Sequence, residues 1–484
     1  MTSTAHPVTP MIIHGQDITP SHHPEAPSFV PNPDFPGGRD TLALGATPEI
    51  CIKAADSCAS AFATWRSTSP QERRALFNQL ATVLKGRKDE IINLIQDELS
   101  CTETWASINY HDGLGIVEHA AALITSGILS AVSPPTADPL AHAVVFKEPL
   151  GVVLGIAPWN SPLILGLRAV VAAVATGNTA ILKGSELSPR IHYAVADMFR
   201  AAGFPPGVVN FVVHRPEDAQ GCFEALISHP AVRKCNFTGS TGVGRHIASR
   251  AAMHLKPVLL ELGGKNCAVV LEDADLEKAA EMVLVGALLN TGQICMSTDL
   301  VLIARSVEPE FYALLCKAAA RHAREATRLI TDKNEVRVEG LLQDAKDKGA
   351  TLFRFSAAGE TTAGSQERPS ATIIRNLTKS MAFWKTEAFG PALGLYSFDD
   401  ISEVPGLVAE SNYGLSGAVF SRDHMKALQL ARALPTGAVH INAPTAHDEP
   451  TLPHGGYGDS GWGRFGSHWG FEEFLQTKTV ILNP

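Results

Sequence analysis

A cysteine and a glutamate, each standing beside glycines, are the residues of this chain best suited to do chemistry. Cys295 lies in the segment 292–297, which begins with glycine, and Glu261 opens the segment 261–266, which carries two glycines. A thiolate can attack a carbonyl carbon, and a carboxylate can take a proton from a thiol or a water. Glycines on both flanks allow a substrate or cofactor to approach the backbone closely. The two segments therefore predict covalent catalysis, with Cys295 as the nucleophile and Glu261 as the base.

The thiol of Cys295 needs activation at neutral pH, because a free cysteine has a pKa of about 8.5. Ser297 and Thr298 follow it in the chain, and hydroxyl residues of this kind often stand where a helix begins. We therefore expect Cys295 at a loop-to-helix boundary, where the helix dipole would lower the pKa of the thiol.

Length and composition limit the classes of protein to which the chain can belong. With 484 residues it is too long for one compact core, so we expect two or three domains. The formal net charge of −9 and the lack of a basic cluster argue against nucleic acid as a partner. No stretch of the sequence reaches ~20 apolar residues, so no membrane span is predicted. Residues 1–36 also lack the apolar core of a secretory signal.

The eight cysteines follow no metal-ligand pattern, and no two of them form a CxxC pair. In so long a chain this usage is typical of reduced thiols. We therefore predict a cytoplasmic protein without a metal site, in which Cys295 alone among the cysteines has a catalytic context.

Short apolar strands alternate with helices along most of the chain. The first series predicts strands at 152–156, 179–183, 208–213, 234–238 and 257–262, with helices at 190–202, 218–227 and 242–252. The second predicts strands at 268–271, 300–304, 418–420 and 438–441, with helices at 275–289, 309–323 and 424–434. Such alternation indicates parallel sheets covered by helices on both faces. The predicted fold class is α/β, with two doubly wound parallel-sheet domains. Residues 1–40, rich in proline, are predicted to be a loose arm.

A glycine-rich turn stands between the strand ending at Thr238 and the helix that follows. Gly239, Ser240, Thr241 and Gly244 occupy it. Such a turn directs backbone N–H groups and a helix N-terminus at a phosphate. Alone it is weak evidence, and its spacing is not that of the usual G-x-G-x-x-G dinucleotide fingerprint.

Together, these segments resemble the aldehyde dehydrogenase superfamily. The turn at 239–244 matches the G-x-T-x-x-G form that this family uses for NAD(P), and further similar segments lie at 158–162, 183–186, 387–391, 412–416, 437–442 and 453–464. The resemblance runs from about residue 50 to the C-terminus. The runs 159–169 and 453–466 are most similar to the salicylaldehyde, benzaldehyde and vanillin dehydrogenase subgroup.

The resemblance implies a role for each matching residue. Cys295 would be the nucleophile, Glu261 the general base, and Asn160 the side-chain amide donor to the oxyanion. The residues implied in cofactor binding are Trp159, Lys183, Glu186, Gly239, Ser240, Thr241, Gly244, Leu262, Glu387 and Phe389. Among them, the carboxylate of Glu186 would repel a 2′-phosphate, so the expected cofactor is NAD, with NADP less favoured.

Arg168 is the residue through which the resemblance bears on the substrate, because most members of the family carry Trp-Lys where this chain has Leu-Arg. A guanidinium could donate hydrogen bonds to a ring hydroxyl or carboxylate, or stack on the ring. It could equally form a structural salt bridge. Trp105, Tyr110 and Trp384 are possible aromatic walls of the substrate site, or ordinary packing residues.

The predicted function is NAD-dependent oxidation of an aldehyde, expected to be aromatic, through a cysteine thiohemiacetal and thioester. The alternatives are an enzyme for aliphatic aldehydes or semialdehydes and a CoA-acylating variant, whereas a non-enzymatic scaffold would have no need of Cys295 and Glu261. We expect a homodimer or homotetramer. The predicted domains are an NAD-binding domain (1–130 and 150–262), a catalytic domain (263–450) and an oligomerisation element (131–149 and 470–484).

Overall fold

A computed structural model describes residues 8–21, 23–31, 41–322, 327–356, 359–360 and 371–484. Its main features are two eight-stranded sheets and a separate two-stranded ribbon. Helices cover both sheets, and the predicted α/β class with two doubly wound sheets is confirmed. In the described part of the chain, no helix combines the length and the apolar character needed to cross a bilayer.

The elements of the first half end at Glu261. The strands are β1 (Val8–Thr9), β2 (Met11–Ile13), β3 (Gln16–Ile18), β4 (Ser28–Phe29), β5 (Leu42–Leu44), β6 (His142–Pro149), β7 (Val152–Ile156), β8 (Thr179–Lys183), β9 (Val209–Val212), β10 (Val232–Thr238) and β11 (Val258–Glu261). The helices are α1 (Pro48–Trp65), α2 (Pro70–Gly86), α3 (Lys88–Leu99), α4 (Glu103–Ile124), α5 (Pro162–Ala175), α6 (Pro189–Ala201), α7 (Ala219–Ser228) and α8 (Thr241–Met253).

The elements of the second half begin at Asn266. The strands are β12 (Asn266–Val270), β13 (Thr298–Ala304), β14 (Thr351–Ser356), β15 (Gly359–Glu360), β16 (Ala371–Arg375), β17 (Ala392–Phe398), β18 (Tyr413–Gly414), β19 (Ser416–Phe420), β20 (Ala438–Ile441), β21 (Tyr457–Gly458), β22 (Gly461–Trp462) and β23 (Leu475–Leu482). The helices are α9 (Leu276–Leu288), α10 (Glu308–His322), α11 (Asp332–Asp347), α12 (Val404–Ala409), α13 (His424–Ala433) and α14 (Ser467–Glu472). Residue 323, the predicted end of α10, lies outside the described residues.

The first sheet has the strand order β22-β11-β10-β7-β8-β9-β2-β3. Its five central strands, β11 to β9 in that order, are parallel. Each of them is a short run of mostly buried residues, as expected for strands covered on both faces. These are the five strands that the sequence predicts in this region. Their carboxyl ends meet along one edge, and Glu261 stands there at the end of β11.

The N-terminal arm differs from the prediction of a loose segment. Its described part includes β2, whose Ile12 pairs with Phe211 of β9 and extends the first sheet. Met11 and Ile12 are buried in the core. The free energy gained by burying the short apolar run 11–13 therefore exceeds the tendency of the surrounding prolines to keep the segment unpaired. Residues 1–7, 22 and 32–40 of the predicted arm lie outside the described residues.

The second sheet has the order β15-β14-β16-β17-β13-β12-β19-β20, with β16 to β20 parallel and β14 and β15 antiparallel at one edge. Separate apolar clusters cover its two faces. The sequence analysis did not predict β14, β16 and β17. Because β14 and β16 are antiparallel neighbours, they do not follow the parallel strand–helix alternation from which the other strands were predicted.

The ribbon joins β6 to β23 in antiparallel register, from Leu475 opposite Pro149 to Leu482 opposite His142. Within the chain, the C-terminal strand thus pairs with part of the segment 131–149. Much of the ribbon is exposed, including the apolar side chains Phe146, Ile481 and Leu482. The domain boundaries given above stay a prediction.

Candidate active site

Two cavities meet at Cys295. The apolar cavity, of about 390 Å³, lies between α4, α5 and the segment 446–471, and its lining includes Trp105, Ile164, Arg168 and Phe465. The glycine cleft, of about 600 Å³, opens at the carboxyl edge of the first sheet. It is lined by Trp159, Asn160, Lys183, Glu186, Gly239, Ser240, Thr241, Gly242, Glu261, Gly263, Glu387, Phe389 and others. Because Cys295 lines both cavities, a molecule in either one can reach the thiol.

An irregular turn brings Cys295 to this position. Asn290, Thr291 and Gly292 all have positive φ angles, of 50°, 57° and 72°. A Cβ atom at Gly292 would lie 2.3 Å from the carbonyl oxygen of Gly390, so only glycine fits there. Non-glycine residues rarely adopt such angles, and runs of them are found where the surrounding structure enforces them.

Gln293 fixes the turn from three sides. Its side-chain Nε2 donates to the carbonyl of Asn290 at 3.2 Å, and its Oε1 accepts from the backbone N–H of Ile330 at 2.9 Å. Its own carbonyl accepts from Nδ2 of Asn160 at 3.1 Å. A further amide, Nδ2 of Asn266, donates to the carbonyl of Cys295 at 2.8 Å. These bonds hold Cys295 on a rigid segment although it lies outside any helix or strand.

The prediction that Cys295 stands at the start of a helix is wrong. It follows a 3-10 helix (Leu289–Gly292) and precedes β13, which begins at Thr298. Burial, and then the nearby charge of Glu261, raise the pKa of the Cys295 thiol well above its usual value. The thiol is therefore protonated at rest. Its activation requires a base, because there is no helix dipole to stabilise a thiolate.

Glu261 is the base best placed for this task. It ends β11 opposite Thr238 of β10 and is only 1% exposed. Neither of its carboxylate oxygens has a hydrogen-bond partner among the described residues. A buried carboxylate without partners has its full proton-accepting capacity free.

Asn160 stands between β7 and α5, beside the turn that carries Cys295. It is 4% exposed, and its backbone carbonyl accepts from Nε1 of Trp105 at 3.0 Å and from Nδ2 of Asn290 at 3.3 Å. One N–H of its side-chain amide bonds to the carbonyl of Gln293. An amide NH₂ has two donors, which leaves the second for an oxygen bound at Cys295.

Eight of the ten predicted cofactor residues line the glycine cleft: Trp159, Lys183, Glu186, Gly239, Ser240, Thr241, Glu387 and Phe389. The other two, Gly244 and Leu262, stand behind it and pack together. A Cβ atom at Gly244 would lie 2.5 Å from the Leu262 side chain. These two therefore bring α8 close to the end of β11.

The glycine cleft has the features that a dinucleotide phosphate requires. Helix α8 begins there, the Ser240 side chain does not cap it, and its first turn holds no acidic residue. A Cβ atom at Gly242 would meet nothing within 4 Å. Backbone N–H groups at an open helix N-terminus attract anions. Nearby, Lys183 Nζ lies 3.7 Å from Glu186 Oε2, and these two side chains can bond to ribose hydroxyls.

Glu387 and Phe389 form the opposite wall of the glycine cleft. Oε1 of Glu387 accepts from the backbone N–H of Gly264 at 3.1 Å. Burial, and then the charge of Asp299, raise the pKa of Glu387 to about 8. Phe389 has a φ of 46°, and its ring meets that of Trp159 edge to face at 5.9 Å. A strained aromatic residue at this point indicates a constraint imposed by the site.

Arg168 lies on the wall of the apolar cavity and forms an ion pair with Asp448. Its guanidinium carbon also stands 5.7 Å from the ring centre of Phe465. Burial acts to raise the pKa of Asp448, but the charges of His454 and Arg168 outweigh it and lower the pKa overall. The position of Arg168 agrees with both interpretations. As a possible ligand of the substrate it lines the apolar cavity, and as a structural residue it forms a salt bridge.

Of the three candidate aromatic walls, only Trp105 lines the apolar cavity. Because an α-helix turns once in about 3.6 residues, Tyr110 faces a different side of α4 and donates its hydroxyl to the carbonyl of Leu84. Trp384 lies in the core of the second sheet, where its Nε1 donates to Glu410. The interpretation of Tyr110 and Trp384 as walls is wrong.

The sequence analysis missed most charged residues of the apolar cavity. They are Asp112, His119, His447, Asp448, Glu449 and His454. Of these six, only His454 belongs to a segment that the sequence analysis named, the run 453–466. Asp112 gave no signal within the pattern of α4, and residues 446–450 follow β20 without periodicity.

Comparison with known proteins agrees with this geometry. Residues 42–480 match the aldehyde dehydrogenase family. The chain is 37% identical over 480 residues to a vanillin dehydrogenase of Pseudomonas sp. (strain HR199 / DSM 7063), covering 98% of this chain and 97% of that protein. It is 34% identical to an NADP(+) succinate-semialdehyde dehydrogenase of Deinococcus radiodurans, covering 96% of each.

Among solved structures, the crystal structure of a salicylaldehyde dehydrogenase from Pseudomonas putida G7, complexed with salicylaldehyde, is similar over nearly the whole molecule. The TM-score is 0.92 and the identity 32%, with 99% of each chain covered. The fold of that enzyme is therefore the fold described here.

Proposed function

Since the chain belongs to the aldehyde dehydrogenase family, of NAD(P)-dependent enzymes, we propose that it oxidises an aromatic aldehyde to the carboxylic acid with NAD. The observation that carries this proposal is the position of Cys295 at the meeting point of the two cavities, with Glu261 on the wall of the glycine cleft. The apolar cavity is the substrate site and the glycine cleft the cofactor site.

In the first half of the reaction, the Cys295 sulfur bonds to the aldehyde carbon and gives a thiohemiacetal. The raised pKa of the thiol requires that its proton leaves as this bond forms, and the Glu261 carboxylate accepts it. The second N–H of the Asn160 amide and the backbone N–H of Cys295 donate to the developing oxyanion. Losing one donor of this kind costs about 10²–10³ in rate.

A bound dinucleotide would supply the hydride acceptor that the oxidation of the thiohemiacetal to a thioester needs. Lys183 and Glu186 would hold the hydroxyls of one ribose, the N-terminus of α8 would hold phosphate, and Glu387 would bond to the second ribose. The carboxylate of Glu186 favours NAD, since it accepts from a 2′-hydroxyl and repels a 2′-phosphate.

In the second half, water attacks the thioester carbon while Glu261 takes a proton from it. The C–S bond breaks, the sulfur takes up the proton of the product acid to become a thiol again, and the product leaves as the carboxylate. The covalent intermediate speeds the reaction because it replaces one difficult step by two easier ones. The presence of Glu261 favours water over CoA as the acceptor, because hydrolysis needs this base.

The walls of the apolar cavity favour a neutral aromatic aldehyde. Trp105, Ile164 and Phe465 offer flat and branched apolar surfaces, and Arg168 offers donors for a ring hydroxyl. Its charge is already paired with Asp448, and Asp112 and Glu449 add carboxylates to the lining. A carboxylated aldehyde would bring another negative charge among these groups, so hydroxylated benzaldehydes fit better.

The experiment that tests this function is a comparison of kcat/KM across salicylaldehyde, vanillin, benzaldehyde, 4-carboxybenzaldehyde, succinic semialdehyde and a short aliphatic aldehyde. NADH formation is followed by its absorbance, with and without CoA. We expect the three uncharged aryl aldehydes to rank first and CoA to have no effect. A preference for the semialdehyde or the aliphatic aldehyde would refute the aromatic assignment, and a requirement for CoA would refute hydrolysis.

The exposed ribbon of β6 and β23 supports the proposal that the chain works as a homodimer or homotetramer in the cytoplasm. An exposed strand edge with apolar side chains is a template for pairing with another chain. All eight cysteines are free thiols, which agrees with a reducing compartment. Light scattering at several protein concentrations tests the oligomeric state.

A further inference from the structure

A row of buried and half-buried titratable groups runs from the apolar cavity to Glu261, and the mechanism above leaves most of it unused. Its members, in order, are Arg168, Asp448, His454 and Glu261. We propose that His454 accepts the proton that Glu261 takes from water, while Asp448 fixes the tautomer of the imidazole that makes this possible. The proposal rests on the proposed function, since it concerns the hydrolysis of the acyl-enzyme.

Distances along the row support this order. Nε2 of His454 lies 3.5 Å from Oε1 of Glu261, and Nδ1 lies 3.5 Å from Oδ1 of Asp448. Both separations exceed a normal hydrogen bond, and Nε2 of His454 has no partner among the described residues. Contacts of catalytic groups are often long before substrate binds and tighten in the complex.

The backbone of His454 is fixed, so only its ring can adjust. Its N–H donates to the carbonyl of Phe465 at 2.9 Å, and its carbonyl accepts from the N–H of Phe465 at 2.8 Å. The residue is 6% exposed, and Glu261 is 1% exposed. A rotation of the ring that moves Nε2 or Nδ1 by a fraction of an ångström is enough to close the corresponding contact.

Asp448 determines the direction in which a proton can move between Glu261 and His454. Asp448 forms an ion pair with Arg168, and this pairing favours the anionic form of Asp448. An anionic Asp448 is an acceptor only, so it binds the Nδ1–H tautomer of a neutral His454. That tautomer presents the lone pair of Nε2 to Glu261, where it can receive a proton.

Glu261 needs a group that accepts its proton, because Glu261 takes up a proton twice in each turnover. It takes one proton from the Cys295 thiol and a second from the attacking water. A proton left on Glu261 blocks the next step. In the proposed transfer, the O–H bond of protonated Glu261 breaks, an N–H bond forms at Nε2, and the imidazolium is stabilised by Asp448. His454 lines the apolar cavity, through which the proton then leaves for solvent.

The charged and titratable groups near His454 come from four parts of the fold. They are Glu261 on β11, Asp448 on the segment after β20, Arg168 on α5, and His440 on β20. Asp112, His119, His447 and Glu449 line the same cavity as His454. His440 is half-buried and lines neither cavity, and it serves as a matched control of the same residue type.

The test uses a 4-nitrophenyl ester, which acylates Cys295 without a dinucleotide. The burst of nitrophenolate reports acylation and counts the competent sites, and the later linear phase reports hydrolysis of the acyl-enzyme. For His454→Gln we expect an unchanged burst amplitude, a burst rate within about threefold of the parent, and a linear phase slower by about tenfold or more, a share of the 10²–10⁴ usual for acid–base catalysis.

The pH profile of the linear phase separates proton transfer from structural support. In the parent protein, hydrolysis should fall when acid protonates His454, because an imidazolium cannot accept a proton. In His454→Gln the acid limb should move, because the imidazole that acid would protonate is gone. His440→Gln should keep the parent profile, and Asp448→Asn should slow the linear phase more than the burst.

Two results would overturn the proposal. One is an equal loss of burst rate and linear rate in both His454→Gln and His454→Phe, which would make His454 a packing residue. The other is an acid limb that does not move. Failure of the aromatic-aldehyde assignment looks different, because the ester kinetics and their dependence on His454 would persist while aryl aldehydes gave no NADH.

Discussion

The two cavities that meet at Cys295 are built in different ways. The glycine cleft lies at the ends of parallel strands, and glycines line it where a Cβ atom would clash with a neighbouring side chain, as at Gly239 with Phe237 and at Gly263 with Glu387. The apolar cavity is shaped by side chains from α4, α5 and the segment 446–471.

This difference explains what a sequence can reveal about each cavity. A cleft in which a Cβ atom would clash requires glycine at particular positions, and these glycines form short motifs that can be recognised in the sequence. A cavity made of side chains can change its shape and charge residue by residue without moving the backbone. Chemistry and cofactor are therefore encoded locally, whereas substrate preference depends on residues distant in sequence.

The largest expected effect comes from Cys295→Ser, because this residue belongs to both cavities. A hydroxyl is a far weaker acid than a thiol, so aldehyde oxidation should fall by on the order of 10⁴-fold or more, as for other catalytic nucleophiles. Binding of NAD, measured by titration calorimetry, should be retained. Cys316→Ser, which changes a half-buried thiol outside both cavities, should behave as the parent; near-normal activity of Cys295→Ser would exclude it as nucleophile.

Glu261→Gln should come next, since it removes the base but keeps the shape of the residue. Hydrolysis of the acyl-enzyme should slow by about 10²–10⁴-fold, the usual contribution of such a base. Acylation should suffer less, so rapid mixing should show a burst of NADH followed by slow turnover. Single-turnover data decide the case if hydride transfer already limits the parent. An unchanged steady-state kcat would remove Glu261 from this role.

The sequence predictions were correct where local motifs define the structure, and they failed where contacts between distant segments define it. Cys295, Glu261 and Asn160 were found because glycine and proline motifs surround them, and in the structure all three line the glycine cleft. Strands β7 to β11 were found because each is a short apolar run next to a helix. Their order and the pairing of β2 with β9 depend on contacts between distant segments, which local patterns do not carry.

The charge pattern of the apolar cavity illustrates what could not be predicted. Arg168 was identified as a residue, but its partner Asp448 lies on a segment that becomes its neighbour only in the folded chain. Likewise, nothing in the sequence around Cys295 indicates that burial and Glu261 raise the pKa of its thiol. Such effects arise from the three-dimensional arrangement of charges.

A smaller effect, confined to the apolar cavity, is expected from Arg168→Ala. The variant removes a donor to a ring hydroxyl, a loss of about 1–3 kcal/mol if the group is buried. The value of kcat/KM should therefore fall more for salicylaldehyde and vanillin than for benzaldehyde, with the KM for NAD unchanged. Arg245→Ala, at an exposed arginine of α8, is the control. An equal loss on every aldehyde would mean that Arg168 serves only to hold Asp448.

The smallest effect is expected from Glu186→Gln, which acts in the glycine cleft alone. The carboxylate stands 3.7 Å from Lys183 and repels a 2′-phosphate. Its removal should raise the ratio of kcat/KM for NADP to that for NAD severalfold, roughly the 0.3–1 kcal/mol typical of a partly exposed charge. Preference among aldehydes should not move, in contrast to Arg168→Ala. Glu277→Gln, which changes the same charge at an exposed site on α9, controls for net charge. A parent enzyme that already prefers NADP, or a ratio that stays fixed in the variant, would show that Glu186 does not select the cofactor.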